Sequence, residues 1–140
     1  MIIQNTTTMK NDKLFQEVYD KAYQAGMEAG RFHNPRPMAV GYETELFSGK
    51  LDTSRNVEIV NDGVCGFAWI NIKSGNSAFA NFLKRNGLAS KDSYYGGVTV
   101  WVSEFGQSYE RKMAFASAFA NVVSEALPTL KSVYASGRLD

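Results

Sequence analysis

At 140 residues the chain is long enough to bury a core without disulfides or metals and short enough for a single domain. Hydrophobic residues make up 44% and charged residues 21%, a globular mixture that argues against a disordered chain. The net charge of +1 argues against a protein that grips polyanions by bulk charge alone. The aromatic share stands out: nine Phe, seven Tyr and two Trp point to a dense core, a partner surface or a stacking site. The single cysteine, Cys65, has no internal partner and sits in an apolar run, where it reads as a small buried hydrophobe suited to a reducing compartment. The first ten residues lack the pattern of a signal peptide, and no apolar run reaches the length of a membrane span. The expectation is a cytoplasmic protein without membrane partners.

In chain order, residues 1–11 are polar and Thr-rich and read as a loose arm, with Asp12 as the cap of a helix to about Gly30. Phe15, Tyr19, Ala22, Gly26 and Ala29 form its apolar stripe, and the small residues in its second half favour close packing. Pro35 and Pro37 end the helix. Residues 38–44 and 57–60 read as short strands around a polar loop, residues 47–56, and Asn61-Asp62-Gly63 as a turn. Residues 64–72 read as a strand. Ser74-Gly75-Asn76-Ser77 then opens a helix that ends at Asn86-Gly87. Val98-Thr99-Val100-Trp101-Val102-Ser103 alternates strictly and is the clearest strand signal. Gln107-Ser108 opens an Ala-rich helix to about Leu127, and residues 132–139 read as the last strand. The fold class expected is α+β, one domain over residues 1–140, with a mixed sheet of four or five strands. Helices should pack mainly on one face, and the C-terminal half should run β-α-β-α-β. Right-handed crossovers would make its strands parallel.

Sorting these strands by face gives one aliphatic set, including Ala68, Ile70, Ile72, Val98 and Val100, that should lie under the helices. The opposite set carries Cys65, Phe67, Trp69, Asn71, Thr99, Trp101, Ser103, Tyr134, Ser136 and Arg138. It is too aromatic for a solvated face and too polar for a second core. Three readings fit it: cover by the first helix and the long loop, a homodimer or higher homo-oligomer surface, or the floor of a ligand site.

Constellations for catalysis are scarce. His33 reads as a helix-end residue, and it pairs with Cys65 as a nucleophile only if the fold joins them. No Cys/His spacing suits a metal, and Asp62, Glu104 and Glu110 are scattered carboxylates at turns. No phosphate-binding glycine motif is complete. No catalytic residue, metal or cofactor is therefore expected. Ligand-contacting segments are easier to find. Ser74, Asn76 and Ser77 open a helix whose amides attract anions. Tyr94 and Tyr95 stand beside a Gly pair. Arg111 lies in the first turn of the Ala-rich helix, where its charge opposes the helix dipole and an ion pair or an anion would explain it. Arg138 shares a face with Trp69 and Trp101 and can fork to a phosphate or to a carboxylate such as Glu104.

Several of these motifs recur together. Asp62-Gly63-Val64-Cys65-Gly66-Phe67-Ala68-Trp69, Gly75-Asn76-Ser77, Tyr94-Tyr95-Gly96-Gly97-Val98, Gln107-Ser108-Tyr109-Glu110-Arg111-Lys112 and Ser136-Gly137-Arg138-Leu139-Asp140 resemble, in this order, a family of small hypothetical proteins of tailed bacteriophages. The resemblance covers roughly residues 61–140. It implies a product of the infected bacterial cytoplasm and supplies no catalytic residues. Together with the residues above, it leads to the expectation of a non-enzymatic sponge that sequesters a small nucleotide-derived defence signal. The ligand-binding residues would be Trp69, Asn71, Ser74, Asn76, Ser77, Tyr94, Tyr95, Trp101, Arg111 and Arg138. The alternatives are a single-stranded nucleic-acid module, which the near-neutral charge speaks against, and a protein inhibitor of a host enzyme.

Overall fold

The structure is a computed structural model that describes residues 2–46 and 48–140, with side chains from residue 11 onward. Met1, in the expected arm, and Phe47, at the start of the expected loop, lie outside the described residues. Among the described residues, three helices and six strands confirm the α+β class. They are α1 (Ile2–Phe32), β1 (Met38–Val40), β2 (Glu58–Val60), β3 (Gly66–Ile72), α2 (Ala78–Arg85), β4 (Ser90–Lys91), β5 (Val98–Trp101), α3 (Tyr109–Ala126) and β6 (Val133–Leu139).

The expected arm is corrected first. Helix α1 begins at Ile2, and Asp12 lies within it rather than capping it. The Asp12 carboxylate instead meets Arg85 of α2 at 2.7 Å, an exposed pair contributing about 0–1 kcal/mol.

The strands form two sheets. One is the isolated antiparallel ribbon β1–β2; the other has the order β4-β5-β3-β6. The ribbon therefore does not complete the main sheet, as had been expected. Every pairing in the larger sheet is antiparallel, against the expected parallel arrangement. The reason is β4, a strand of two residues that carries no alternation to read. Helix α2 crosses from β3 to the parallel strand β4, and β5 inserts between them; α3 then crosses from β5 to β6 around β3. Each crossover is a split β-α-β unit, and the β-α-β-β-α-β order is that of ferredoxin-like domains.

The aliphatic face packs as its alternation requires. Ala68, Ile70, Ile72, Val98, Val100 and Val102 are buried beneath Phe79, Phe82 and Leu83 of α2 and Phe115, Phe119 and Val123 of α3. Helix α1 lies along α3 on this same side, with Tyr19 edge-on to Phe119 and Tyr23 edge-on to Phe115. Gly26 explains itself: a Cβ there would stand 2.7 Å from the Phe115 ring. Because α1 is committed to α3, it does not cover the aromatic face.

Polar residues fasten the helix layer. Lys112 is buried and donates to the Val102 carbonyl at 2.9 Å; burial pushes its ammonium pKa down, opposed by the Glu104 charge. Arg111 donates to the Gly30 and Arg31 carbonyls at 2.8 and 3.0 Å and pairs with Asp62 at 3.2 Å. Its charge therefore meets the negative end of α1, which accounts for a cation in the first turn of α3 without an anion. Beside it, Glu110 meets His33 Nε2 at 3.0 Å and accepts from the Arg36 amide at 3.1 Å. These partners, the His33 hydrogen bond foremost, hold the Glu110 carboxyl below its usual range. A carboxyl depressed in the folded state stabilises the fold above the unfolded value, here 4.5, and that stabilisation is lost as pH falls through the folded value. Melting temperature followed against pH is expected to fall more steeply below about pH 4.5 for the wild type than for Glu110→Gln.

Candidate functional site

The face of the sheet opposite the helices is open. Alternation sends Phe67, Trp69 and Asn71 of β3, Thr99 and Trp101 of β5, and Tyr134, Ser136 and Arg138 of β6 to this side, and antiparallel register aligns them in rows. Phe67 stands opposite Arg138. Trp69 lies between Trp101 and Ser136, and Asn71 lies between Thr99 and Tyr134. All of these side chains except Phe67, together with the β4–β5 loop, bound a basin of about 700 Å³, within the range of small-molecule sites.

The rings are not shielded. Trp101 is 55% exposed, and its ring centroid is 5.0 Å from that of Trp69 with a 47° tilt between planes. Phe67 and Tyr134 are also exposed, as are Tyr94 and Tyr95, which meet edge-on at 4.6 Å. The floor is polar and nearly buried: Asn71 Nδ2 donates to Ser136 Oγ at 2.7 Å, and Thr99 Oγ1 donates to Asp92 Oδ2 at 3.2 Å.

Asp92 organises the wall. Its Oδ1 accepts from the amides of Tyr94 and Tyr95 at 3.0 and 2.9 Å, which folds the Tyr94-Tyr95-Gly96-Gly97 segment into a tight turn. The Tyr95 amide foremost, with the Tyr94 amide, the Thr99 hydroxyl and the Lys73 charge, keeps its carboxyl below the usual range. Lys73 donates to the Tyr95 carbonyl and lies within 5.6 and 5.9 Å of the Tyr95 and Tyr134 ring centres. At the other end, the Arg138 guanidinium sits 5.3 Å from the Phe67 ring centre, and among the described residues it makes no ion pair. The carboxylate suggested for it, Glu104, instead accepts from Tyr23 Oη at 2.9 Å.

A scan of protein-family models and searches of curated proteins and of solved structures find no match to this chain.

Of the ten residues expected at a ligand site, Trp69, Asn71, Tyr94, Tyr95, Trp101 and Arg138 line the basin together. Four are placed elsewhere. Arg111 is on the helix side, engaged as described above. Ser77 caps α2, its Oγ accepting from the Ala80 amide at 3.2 Å, and Ser74 Oγ accepts from the Lys131 amide at 3.1 Å. Asn76 is exposed in the same loop, which packs against Gly97 rather than opening onto the basin. The basin also holds Thr99, Tyr134 and Ser136, expected on this face but not at the site, and Gly137 and Asp92, which sequence reasoning missed, Asp92 being the consequential one. Its signal was available, since an Asp two residues before Tyr-Tyr-Gly-Gly is a turn-forming pattern. Cys65 is exposed, not buried, because it shares the outward alternation of Phe67 and Trp69. His33 is paired with Glu110 instead of serving Cys65. Asp62, Glu104 and Glu110 have separate partners, and among the described residues no three His, Cys, Asp or Glu side chains gather as metal ligands. Among those residues no helix is long and apolar enough to cross a membrane.

Proposed function

We propose that the open face binds a small nucleotide-derived molecule by stacking its base on the Trp69–Trp101 pair, and that the chain sequesters it. The observation that carries this reading is the tryptophan pair, Trp101 exposed and Trp69 half-buried, held in register over a hydrogen-bonding floor with Arg138 on the same face. Rings of this kind gain from stacking on any base, while amide and hydroxyl groups at their edge select among bases. Asn71 and Ser136 supply those groups, and Arg138 supplies a forked donor for phosphate. In the infected bacterium implied by the resemblance to phage proteins, sequestration of such a molecule would blunt a nucleotide-based defence signal.

A second reading has its own support. Phe67, Trp69 and Trp101 sit on β3 and β5, the two central strands of a four-stranded sheet, and RNA-recognition motifs stack bases on the rings of such a sheet. That support is an analogy of fold. It makes single-stranded nucleic acid the competing ligand.

The experiment uses the chain's own reporters, because both of its tryptophans lie on this face. Mass spectrometry of small molecules that co-purify from cells producing defence signals nominates candidates. Tryptophan quenching and calorimetry across a panel of nucleotides and cyclic nucleotides then measure affinity. Saturable quenching by a nucleotide, with the molecule recovered unaltered, is the expected result. Failure of every member of a broad panel to bind removes the proposal. Salt-dependent binding confined to single-stranded oligonucleotides transfers the site to the second reading.

A further inference from the structure

The face is longer than one base requires. From Phe67 to Asn71 the strand β3 extends about 13 Å, residues sharing this face recur about every 7 Å along it, and Lys73 follows just past the strand's end. Along that length the side chains change character in a definite order. Arg138 and Phe67 form the first row, the tryptophan pair the second, and Asn71 with Tyr134 the third. Lys73 follows beyond them, between the Tyr95 and Tyr134 rings. A base resting on the tryptophans leaves the tyrosines, one row further along, uncovered. Each ring cluster also has its own cation, Arg138 beside the first and Lys73 beside the second. The β4 side of the basin carries the Asp92 carboxylate, beside Lys73, which disfavours phosphate there and directs it toward Arg138.

Resting on the nucleotide reading of this face, we infer that it contains two ring-binding subsites, Trp69–Trp101 and Tyr95–Tyr134. Its ligand class is then a molecule with two nucleobases joined through phosphate, not a mononucleotide. The second ring lies against Tyr134 with Lys73 at its edge, and the polar groups of Asn71, Thr99 and Ser136 face the gap between the rings.

The test compares three probes on the intact chain by calorimetry and tryptophan quenching, in both adenosine and guanosine series. They are the nucleoside 5′-monophosphate, the 5′-phosphorylated dinucleotide and a single strand of six residues. The dinucleotide is expected to bind about five- to hundredfold more tightly than the monophosphate, the gain from stacking one further base. Tyr134→Ala should remove that gain, costing the dinucleotide far more affinity than the monophosphate, while Tyr134→Phe, which keeps the ring, should retain it. Tyr134 is exposed, so its loss leaves the core intact, and a melting curve checks this. A hexamer no tighter than the dinucleotide supports a discrete small molecule in the two subsites. A further gain with the hexamer supports a strand laid along the same two. Equal affinity for monophosphate and dinucleotide, or an equal loss of both in Tyr134→Ala, overturns the second subsite and leaves the one-base reading standing. No binding by any probe overturns the inference together with the reading beneath it.

Discussion

Gly97→Ala is expected to destabilise the fold by about 3–5 kcal/mol and to lower the melting temperature by roughly 10–15 °C. Two effects add. Gly97 has φ of 74°, a left-handed conformation that costs a residue with a Cβ about 1–2 kcal/mol. The added Cβ would also stand 2.2 Å from the Ile72 carbonyl oxygen and 2.8 Å from the Lys73 Cα. Both are backbone atoms at the end of β3 and cannot swing aside as a side chain would. Relieving the clash means moving the Tyr94–Gly97 turn away from the sheet, and with it the wall of the basin. Gly96→Ala is the matched control, because Gly96 has φ of 79° but no atom near the position of a Cβ. It should show the conformational cost alone, about 1–2 kcal/mol. Equal melting temperatures for the two variants would show that the close approach to Ile72 contributes nothing.

Trp101→Ala has the opposite signature: a large loss of binding with little loss of stability. More than half of Trp101 is in solvent and it lies outside the buried core, so thermal unfolding should move by only a few degrees. If a base stacks there, truncation weakens binding by about 1–3 kcal/mol, roughly five- to 150-fold in Kd. Trp101→Phe should recover most of that affinity, since it keeps a stacking ring. Trp69 remains in both variants as the fluorescent reporter. Wild-type affinity in Trp101→Ala would exclude the tryptophan pair as the stacking platform.

The sequence was most informative where periodicity and burial agree. The alternation through Val98–Ser103 and residues 64–72 identified the open face side chain by side chain, because antiparallel register keeps every odd or even position on one side. The helix-side packing of α3 was legible for the same reason. Strand direction was not, since it depends on Ser90-Lys91, a pair too short to leave a pattern, and on the insertion of β5 beside β3. Contacts set by distant parts of the chain were also hidden. The charge of Arg111 is met by the end of α1, far away in sequence, so its local position suggested an anion instead. Ser74 and Ser77 have the composition of an anion-binding helix start, yet the Ser77 hydroxyl accepts the Ala80 amide of its own helix and the Ser74 hydroxyl accepts the amide of Lys131, far away in sequence. Cys65 looked buried because its neighbours in sequence are apolar, but one step of alternation separates it from the buried face.

The interleaving of the two split units bears on how the chain folds. Neither β-α-β half can assemble its share of the sheet alone, because β5 fills the gap in the first and β3 fills the gap in the second. The pairing of Gly66 with Leu139 joins positions far apart in the chain, and its loop-closure entropy must be met before the partnered strands stabilise one another. Non-local pairing of this kind slows folding relative to helical bundles of similar size. It also couples β3 to both halves: pairing with β5 sets the Trp69–Trp101 row, and pairing with β6 adds Tyr134, Ser136 and Arg138. A form without β6 would therefore keep the tryptophan row and lose the β6 side of the face.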